Sequence, residues 1–138
     1  MVGEFVLDCS MSIAWCFGEE QTEYTRSVQN SFDRGFVAIV PFMWKLEIVN
    51  ALRMAQKRGR VTEERQEDLL RVLCQMPIDT KYLEEDCMHL LSLCKKHDLT
   101  SYDASYLDLA IKFSAPIATL DSALQRAATK TGVGIYLM

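Results

Sequence analysis

The chain has 138 residues, of which 49% are hydrophobic and 25% charged, a balance typical of one globular domain with its own core. The net charge of −4 argues against passive coating of a nucleic-acid backbone, and the five cysteines contain no CxxC pair, so neither a disulfide framework nor a zinc knuckle fits. No apolar run approaches a membrane span and residues 1–10 lack a positively charged leader, so we expect a single domain over residues 1–138, no membrane contact and a cytoplasmic location.

Short apolar runs alternate with amphipathic stretches along the chain. Glu4–Leu7 predicts a strand that ends at Asp8, and Ser10 is the expected cap of the helix that follows, up to Gly18. The later predicted elements are a helix to about Arg34, a strand at Phe36–Val40, helices at Met43–Arg58 and Thr62–Pro77, a weak strand at Ile78–Lys81, a helix at Glu84–Lys96, a helix that begins around Asp103, a strand at Pro116–Leu120, a helix at Ser122–Thr131 and a strand at Gly134–Leu137. We interpret all five cysteines as small buried side chains.

This alternation of strands and helices predicts the fold class. None of the strands is joined to the next by a two-residue hairpin, so the pattern indicates βαβ units with right-handed crossovers. The predicted fold is therefore α/β, a three-layer α/β/α sandwich around a short parallel sheet.

Four carboxylates stand at positions that need an explanation. Asp8 and Asp121 each follow a buried strand, which places them at the carboxyl ends of strands, where open α/β sheets bind ligands. Asp103 shares a helix face with Tyr106 at i+3 and with further apolar residues, so that face is expected to point inward. Glu47 lies among apolar neighbours on the long helix, with Asn50 one turn further on.

Each acid also has a purely structural interpretation. Asp8 and Asp121 could cap the helices that follow them, and Thr100-x-x-Asp103 fits a capping box. Glu47 could be an ordinary surface glutamate. Taken together the four acids favour a different interpretation, because carboxylates that converge repel one another unless a cation lies between them. A set without histidine or cysteine suits a hard ion such as Mg²⁺ or Mn²⁺, and such an ion suits phosphodiester hydrolysis.

Basic residues cluster near the end of the same long helix. Between positions 45 and 60 there are five of them against one acid, Glu47: Lys45, Arg53, Lys57, Arg58 and Arg60. This cluster is either a solvated helix face or a surface that guides an RNA backbone toward the ion. Asp108, by contrast, is interpreted only as the partner of Lys112 at i+4.

At this point the sequence resembles the PIN-domain ribonucleases, and most closely the VapC-type toxins of prokaryotic toxin–antitoxin modules. The matching segments are FVLDCS with Asp8 and Ser10, VPFMWKLEIVNAL with Glu47 and Asn50, LTSYDASYLDLA with Asp103, and PIATLDSAL with Asp121. The order of the acids and the 18 residues (121 − 103) between the last two are specific in combination. Cys9 departs mildly from the family, where alanine or serine is commoner.

The resemblance implies a sheet in the order 3-2-1-4-5 and an endoribonuclease that depends on Mg²⁺ or Mn²⁺. Asp8 and Asp103 would be the principal metal ligands, Glu47 and Asp121 would complete the catalytic site, and Ser10 would support it. The family also implies a homodimer and a small antitoxin protein whose peptide occupies the acidic groove.

Three other interpretations compete with this one, and the residues count against the first two. A phosphoacceptor receiver domain would want an acidic pair after the first strand, where this chain has Asp8-Cys9, and a lysine and a closing helix after the last strand. A haloacid-dehalogenase-like phosphatase would need Asp-x-Asp, and residue 10 is serine. The third alternative is a PIN fold that keeps its acids but acts as a protein-binding module.

Overall fold

The computed structural model describes residues 3–138 and contains a four-stranded parallel sheet. Its strands are β1 (Glu4–Leu7), β2 (Val37–Pro41), β3 (Ile78–Lys81) and β4 (Ile117–Ala118). They lie in the order β3-β2-β1-β4. Strand β1 pairs with β2 through Phe5 and Ala38, and with β4 through Leu7 and Ala118. The adjacency of β1 and β4 brings the ends of two chain segments more than a hundred residues apart to one edge.

Helices connect and flank the strands. They are α1 (Cys9–Cys16), α2 (Glu23–Asn30), α3 (Met43–Lys57), α4 (Glu63–Gln75), α5 (Cys87–His97), α6 (Ser101–Phe113) and α7 (Ser122–Lys130), with 3₁₀ turns at Gly18–Glu20 and Ser31–Arg34. The hydroxyls of Thr62 and Thr100 accept the N–H groups of Arg65 and Asp103, which caps α4 and α6 as their sequences predict. Between residues 3 and 138 no helix has the length and apolar character to span a bilayer.

Both faces of the sheet are covered. Phe5, Val6 and Leu7 are consecutive residues of β1, and all three are fully buried. Because consecutive side chains of a strand point to opposite faces, a run of this kind requires helices on both sides. The predicted three-layer α/β architecture is confirmed. Helix α6 packs against β1 and β2, so a helix bearing one predicted acid lies against the strand that ends at another.

The last predicted strand is reduced to one bridge. Of Gly134–Leu137, only Ile135 pairs, in parallel with Ile117 of β4. Leu137 has a φ of 58°, in the left-handed region, and an extended strand cannot continue through that conformation. The segment still occupies the fifth position of the expected 3-2-1-4-5 order, beside β4.

Two smaller predictions are wrong. Helix α1 begins at Cys9, one residue before Ser10, so Ser10 is not its cap and its hydroxyl is free to bind elsewhere. Cys74 and Cys87 are exposed, whereas Cys9 is buried and Cys16 and Cys94 are partly buried. Those two cysteines lie on amphipathic helices, where a small apolar residue can stand on the solvent face as well as on the core face.

Candidate metal-binding carboxylate site

Asp8 is the most enclosed of the four acids. It follows β1, is only 5% exposed, and its Oδ2 accepts hydrogen bonds from the hydroxyls of Ser10 and Thr119, each at 2.7 Å. Its side chain makes no capping bond to α1, which excludes the structural role open to it from sequence. Burial raises the pKa of the Asp8 carboxyl and the charge of Asp121 adds to that rise, while the hydroxyl donors partly oppose it.

Thr119 is a site residue that the sequence did not reveal. It is fully buried, and besides donating to Asp8 its Oγ1 accepts the backbone N–H of Asp121 at 3.0 Å. The Ser10 hydroxyl makes a parallel link, since it accepts the N–H of Leu120 at 3.0 Å. These bonds tie the ends of β1 and β4 together and fix the distance between Asp8 and Asp121.

Glu47 is half-buried on α3, and its Oε1 accepts a hydrogen bond from the hydroxyl of the fully buried Tyr106 at 2.8 Å. Burial raises the pKa of the Glu47 carboxyl, the charges of Asp8 and Asp103 raise it further, and the Tyr106 hydroxyl lowers it. These contacts exclude an ordinary surface glutamate. Tyr106 is a second site residue that sequence reasoning missed in this role, because it was counted only as part of an apolar stripe.

Asp103 lies in the first turn of α6 and Asp121 at the start of α7. The Thr100 hydroxyl accepts the N–H of Asp103, which is one half of the predicted capping box. The other half, a bond from the Thr100 N–H to the Asp103 carboxylate, is not formed within residues 3–138. Burial raises the pKa of the Asp103 carboxyl, the charges of Asp121 and Asp8 raise it further, and the Thr100 hydroxyl lowers it. Asp121 does cap its helix, since its Oδ1 accepts the N–H of Leu124 at 2.9 Å, as its structural interpretation predicted.

The four acids form one electrostatic group, which we call the acid cluster: Asp8, Glu47, Asp103 and Asp121. Charges within it raise the pKa of three members, and across residues 3–138 none of the four is in an ion pair. In the same range no three His, Cys, Asp or Glu side chains are close enough to form a ready metal cage. An all-oxygen donor set suits Mg²⁺, which keeps several waters and needs only one or two direct carboxylates. The residues therefore fit a hydrated divalent ion better than a fully protein-ligated one.

The other residues predicted around the site differ in their surroundings. Asn50 is exposed on α3, and so are Arg53 and Lys57. Lys57 follows Glu47 by ten residues (57 − 47), a rise of about 15 Å along a helix, which exceeds the screening length of about 8 Å at physiological salt. Arg60 donates to Glu19 at 2.7 Å and to Glu20 at 3.0 Å, while its guanidinium lies 4.2 Å from the centre of the Phe17 ring.

The apolar surround that was expected for Glu47 is only half present. Trp44, Ile48 and Leu52 are buried, but Leu46 is 60% exposed and Val49 is 54% exposed. The two exposed residues are one turn apart and flank Glu47, so α3 presents an apolar strip to solvent beside the acid cluster.

Comparison with known protein families identifies the family of this chain. A model of the PIN domain matches residues 5–130, which is most of the chain and includes all four acids. The chain belongs to the PIN domain family. No protein of the curated set matches it at a significant level.

Two solved structures resemble this PIN domain in fold. The crystal structure of PAE2754 from Pyrobaculum aerophilum is 20% identical, covers 92% of this chain and 86% of its own, and superposes with a TM-score of 0.63. A domain of a functionally unknown protein from Methanocaldococcus jannaschii is 16% identical, covers 99% of this chain and 91% of its own, and has a TM-score of 0.56. At these identities the likeness shows the fold alone.

Membership in the PIN domain family places the protein in a nuclease-type fold whose members typically use divalent metal ions. It also identifies the fold as a PIN domain and not as a receiver domain or a haloacid-dehalogenase-like phosphatase.

Proposed function

We propose that this PIN domain is a metal-dependent endoribonuclease that hydrolyses RNA phosphodiester bonds with Mg²⁺ or Mn²⁺. The observation that carries the proposal is the acid cluster. Burial and charges within the cluster raise the pKa of three of its carboxyl groups, and none of the four is in an ion pair within residues 3–138. Carboxylates in this situation lower their energy by binding a cation from solution.

The residues of the acid cluster have distinct tasks in this proposal. Asp8 and Asp103 are the principal ligands of the ion, and Glu47 and Asp121 complete the site. The hydroxyls of Ser10 and Thr119 hold Asp8 in one orientation, and the Tyr106 hydroxyl keeps Glu47 more readily ionised. A bound divalent ion supplies acidity to an attacking water and stabilises charge on the departing oxygen.

In this proposal, exposed basic residues at the end of α3 attract the RNA backbone. Arg53 and Lys57 are exposed there, and Arg58 follows directly, so these three remain the proposed guides for the RNA backbone. Since Lys57 lies beyond the screening length from Glu47, it contacts RNA outside the acid cluster and not at the cleaved phosphate. The contacts of Arg60 with Glu19 and Glu20 leave it the weakest member of the predicted group.

We also propose that the protein is the toxin of a toxin–antitoxin pair, a homodimer that a small antitoxin protein keeps inactive. The exposed strip of Leu46 and Val49 beside Glu47 supports a protein contact at this edge. Sedimentation of the purified chain, alone and with the product of the neighbouring reading frame, measures both associations.

The decisive experiment is cleavage of total RNA and of defined single-stranded RNA by the purified protein. We expect cleavage with Mg²⁺ or Mn²⁺ and none with EDTA. Asp8→Asn and Asp103→Asn should each reduce the rate at least about 100-fold, since even residues that only support a metal ligand are worth about 10- to 100-fold. Asp33→Asn is the matched control, because Asp33 is an exposed aspartate outside the cluster, and its rate should equal that of the wild type.

Cleavage that persists in EDTA, or in both acid variants, would contradict the metal mechanism. A protein that binds its partner but leaves every RNA intact with either ion would favour the alternative, a catalytically idle PIN fold that acts as a protein-binding module.

A further inference from the structure

A cavity of about 390 Å³ lies at the carboxyl ends of β2 and β3. Pro41, which ends β2, and Lys81, which ends β3, line it together with Phe42, Tyr82, Glu85 and Ser105. The volume falls within the range of small-ligand pockets, about 300–1,000 Å³. None of the tasks assigned to the acid cluster uses this cavity.

The cavity and the acid cluster share one edge of the sheet. The strands are parallel, so Asp8 after β1 and Lys81 at the end of β3 lie at the same edge, with β2 between their strands. Neighbouring strands are about 4.8 Å apart, which puts β3 about 10 Å from β1. Ser105 links the cavity to the acid cluster along the chain. It lines the cavity and immediately precedes Tyr106, the hydrogen-bond partner of Glu47.

Two aromatic side chains on the cavity wall have no role in the core. Tyr82 is 71% exposed and Phe42 is 51% exposed, and their ring centres are 5.9 Å apart at an angle of 38°. This separation is a contact between the two rings, so a third ring stacks on the open face of Tyr82 rather than between them. Flat exposed rings beside a charged groove are the usual platform for bases of single-stranded nucleic acid.

The charges on the wall suit a polar ring. Lys81 and Glu85 carry opposite charges, and both line the cavity. The Lys81 ammonium is paired with Asp79 at 2.8 Å, and its remaining N–H donors are left for a ligand. An aliphatic side chain placed here would cover both charges without bonding to them, which is costly. The edge of a nucleobase carries acceptors for an ammonium group and donors for a carboxylate.

We propose that this cavity binds one unstacked nucleobase of a single-stranded RNA, next to the nucleotide whose phosphate reaches the acid cluster. The base stacks on Tyr82, Phe42 forms the adjoining wall, and Lys81 and Glu85 bond its edge. The inference rests on the proposed ribonuclease function and deepens it by naming the residues that hold a base beside the cleaved phosphate. The base has to be unpaired, since a base held in a duplex cannot enter.

The test compares Tyr82→Phe with Tyr82→Leu in the Asp103→Asn background, with Mg²⁺ present. Binding of a short fluorescein-labelled single-stranded RNA is followed by anisotropy, and a gel checks that the RNA stays intact. Tyr82→Phe keeps the ring and should bind within about twofold, whereas Tyr82→Leu keeps apolar area but should bind about 5- to 100-fold more weakly. Met88→Leu is the control, because Met88 is equally exposed but lies on α5 outside the cavity, and it should leave binding unchanged.

A second arm tests whether the ring contacts a base. RNAs with a single abasic nucleotide at successive positions should lose affinity at one position when Tyr82 is present. Tyr82→Leu should show no further loss at that position, because the partner of the base has already been removed.

Equal RNA binding by Tyr82→Leu, or the same abasic loss with and without the ring, overturns the base site. A change in sedimentation of Tyr82→Leu without a change in RNA binding also overturns it and assigns the cavity to a second copy of the chain. The base site and the nuclease function can be refuted independently. RNA binding that depends on Tyr82, without cleavage by the wild type, refutes the nuclease function alone. Cleavage by the wild type, with RNA binding that does not depend on Tyr82, refutes the base site alone.

Discussion

Replacing Thr119 by valine tests whether the buried hydroxyl holds the acid cluster together. The substitution keeps the shape of a fully buried side chain but removes the donor to Asp8 and the acceptor of the Asp121 N–H. A hydrogen bond to a charged group contributes about 1.5–3 kcal/mol and a neutral one about 1 kcal/mol. Asp8 retains the Ser10 hydroxyl on the same oxygen, so we expect the free energy of unfolding to fall by about 2–4 kcal/mol at neutral pH.

Denaturant unfolding in EDTA, at pH 8 and at pH 4–5, measures the effect. For a chain of this size 1 kcal/mol corresponds to about 3–5 °C, so the Tm at neutral pH should fall by about 6–20 °C. The Thr119 hydroxyl lowers the pKa of Asp8 by favouring its ionised form, so the loss of stability should be larger at pH 8 than at pH 4–5. Thr25→Val is the matched control: Thr25 is also fully buried and bonds only to Thr22 through its hydroxyl, so its loss should not depend on pH.

A loss of stability below about 0.5 kcal/mol would refute this account of Thr119, because that is the range of substitutions that disturb no specific contact. The same loss at both pH values would also refute it, since it would show that the hydroxyl supports the backbone and not the ionised Asp8.

Asp103→Asn removes one of several repelling charges, and since Thr100 caps α6, the Tm in EDTA should rise or stay level; a fall of several degrees would indicate a capping role instead. The pKa values of Asp8, Glu47 and Asp103 are raised in the folded state, so their contribution to stability is complete below about pH 4 and is lost as the pH rises through the folded values. Denaturant titrations in EDTA should therefore show the free energy of unfolding falling from pH 4 toward pH 7. With Mg²⁺ or Mn²⁺ in place of EDTA the fall should be smaller, and a rise over this range would contradict the raised pKa values. Tyr106→Phe removes the hydroxyl that lowers the pKa of Glu47, so the acidic limb of the cleavage rate should move to higher pH, with about a 10- to 100-fold slower rate at neutral pH, and an unchanged profile would exclude this role.

The strands and caps were predictable because local chemistry decides them. Phe5–Leu7 and Ala38–Val40 are continuous apolar runs, as strands covered on both faces must be, and both lie in the sheet. Thr62 and Thr100 precede helices whose first N–H groups need an acceptor, and both accept one. Strand order has no such local signal, and it was expected only from the family resemblance.

In the middle of helix α6, hydrophobic periodicity does not indicate which side faces the core. Residues 104–110 are buried without interruption for nearly two full turns, so the middle of this helix has no solvent face for a pattern to reveal. Asp108 was expected only to pair with Lys112 at i+4. The pair exists at 2.7 Å, but Asp108 is only 2% exposed and also lies 3.1 Å from His89 of α5, a contact across helices that sequence spacing could not predict.

Thr119 and Tyr106 escaped prediction for a related reason. A threonine inside Pro116–Leu120 looks like any β-branched strand residue, and a tyrosine within an apolar stripe looks like core. Both are buried as such residues would be. Their function lies in one hydroxyl each, and only the position of the acceptor, Asp8 or Glu47, distinguishes that hydroxyl from one that merely satisfies the backbone.

Two buried aspartates of this chain show what separates a structural acid from a functional one. Asp108 is compensated internally, because Lys112 and His89 lie against its carboxylate. Asp8 is nearly as buried, yet its donors are the neutral hydroxyls of Ser10 and Thr119, which orient a carboxylate without cancelling its charge. A residue kept for stability alone would gain from a fixed cation, and the chain supplies one to Asp108. The arrangement around Asp8 leaves its charge to be balanced from solution, and that is the property a divalent-ion site requires.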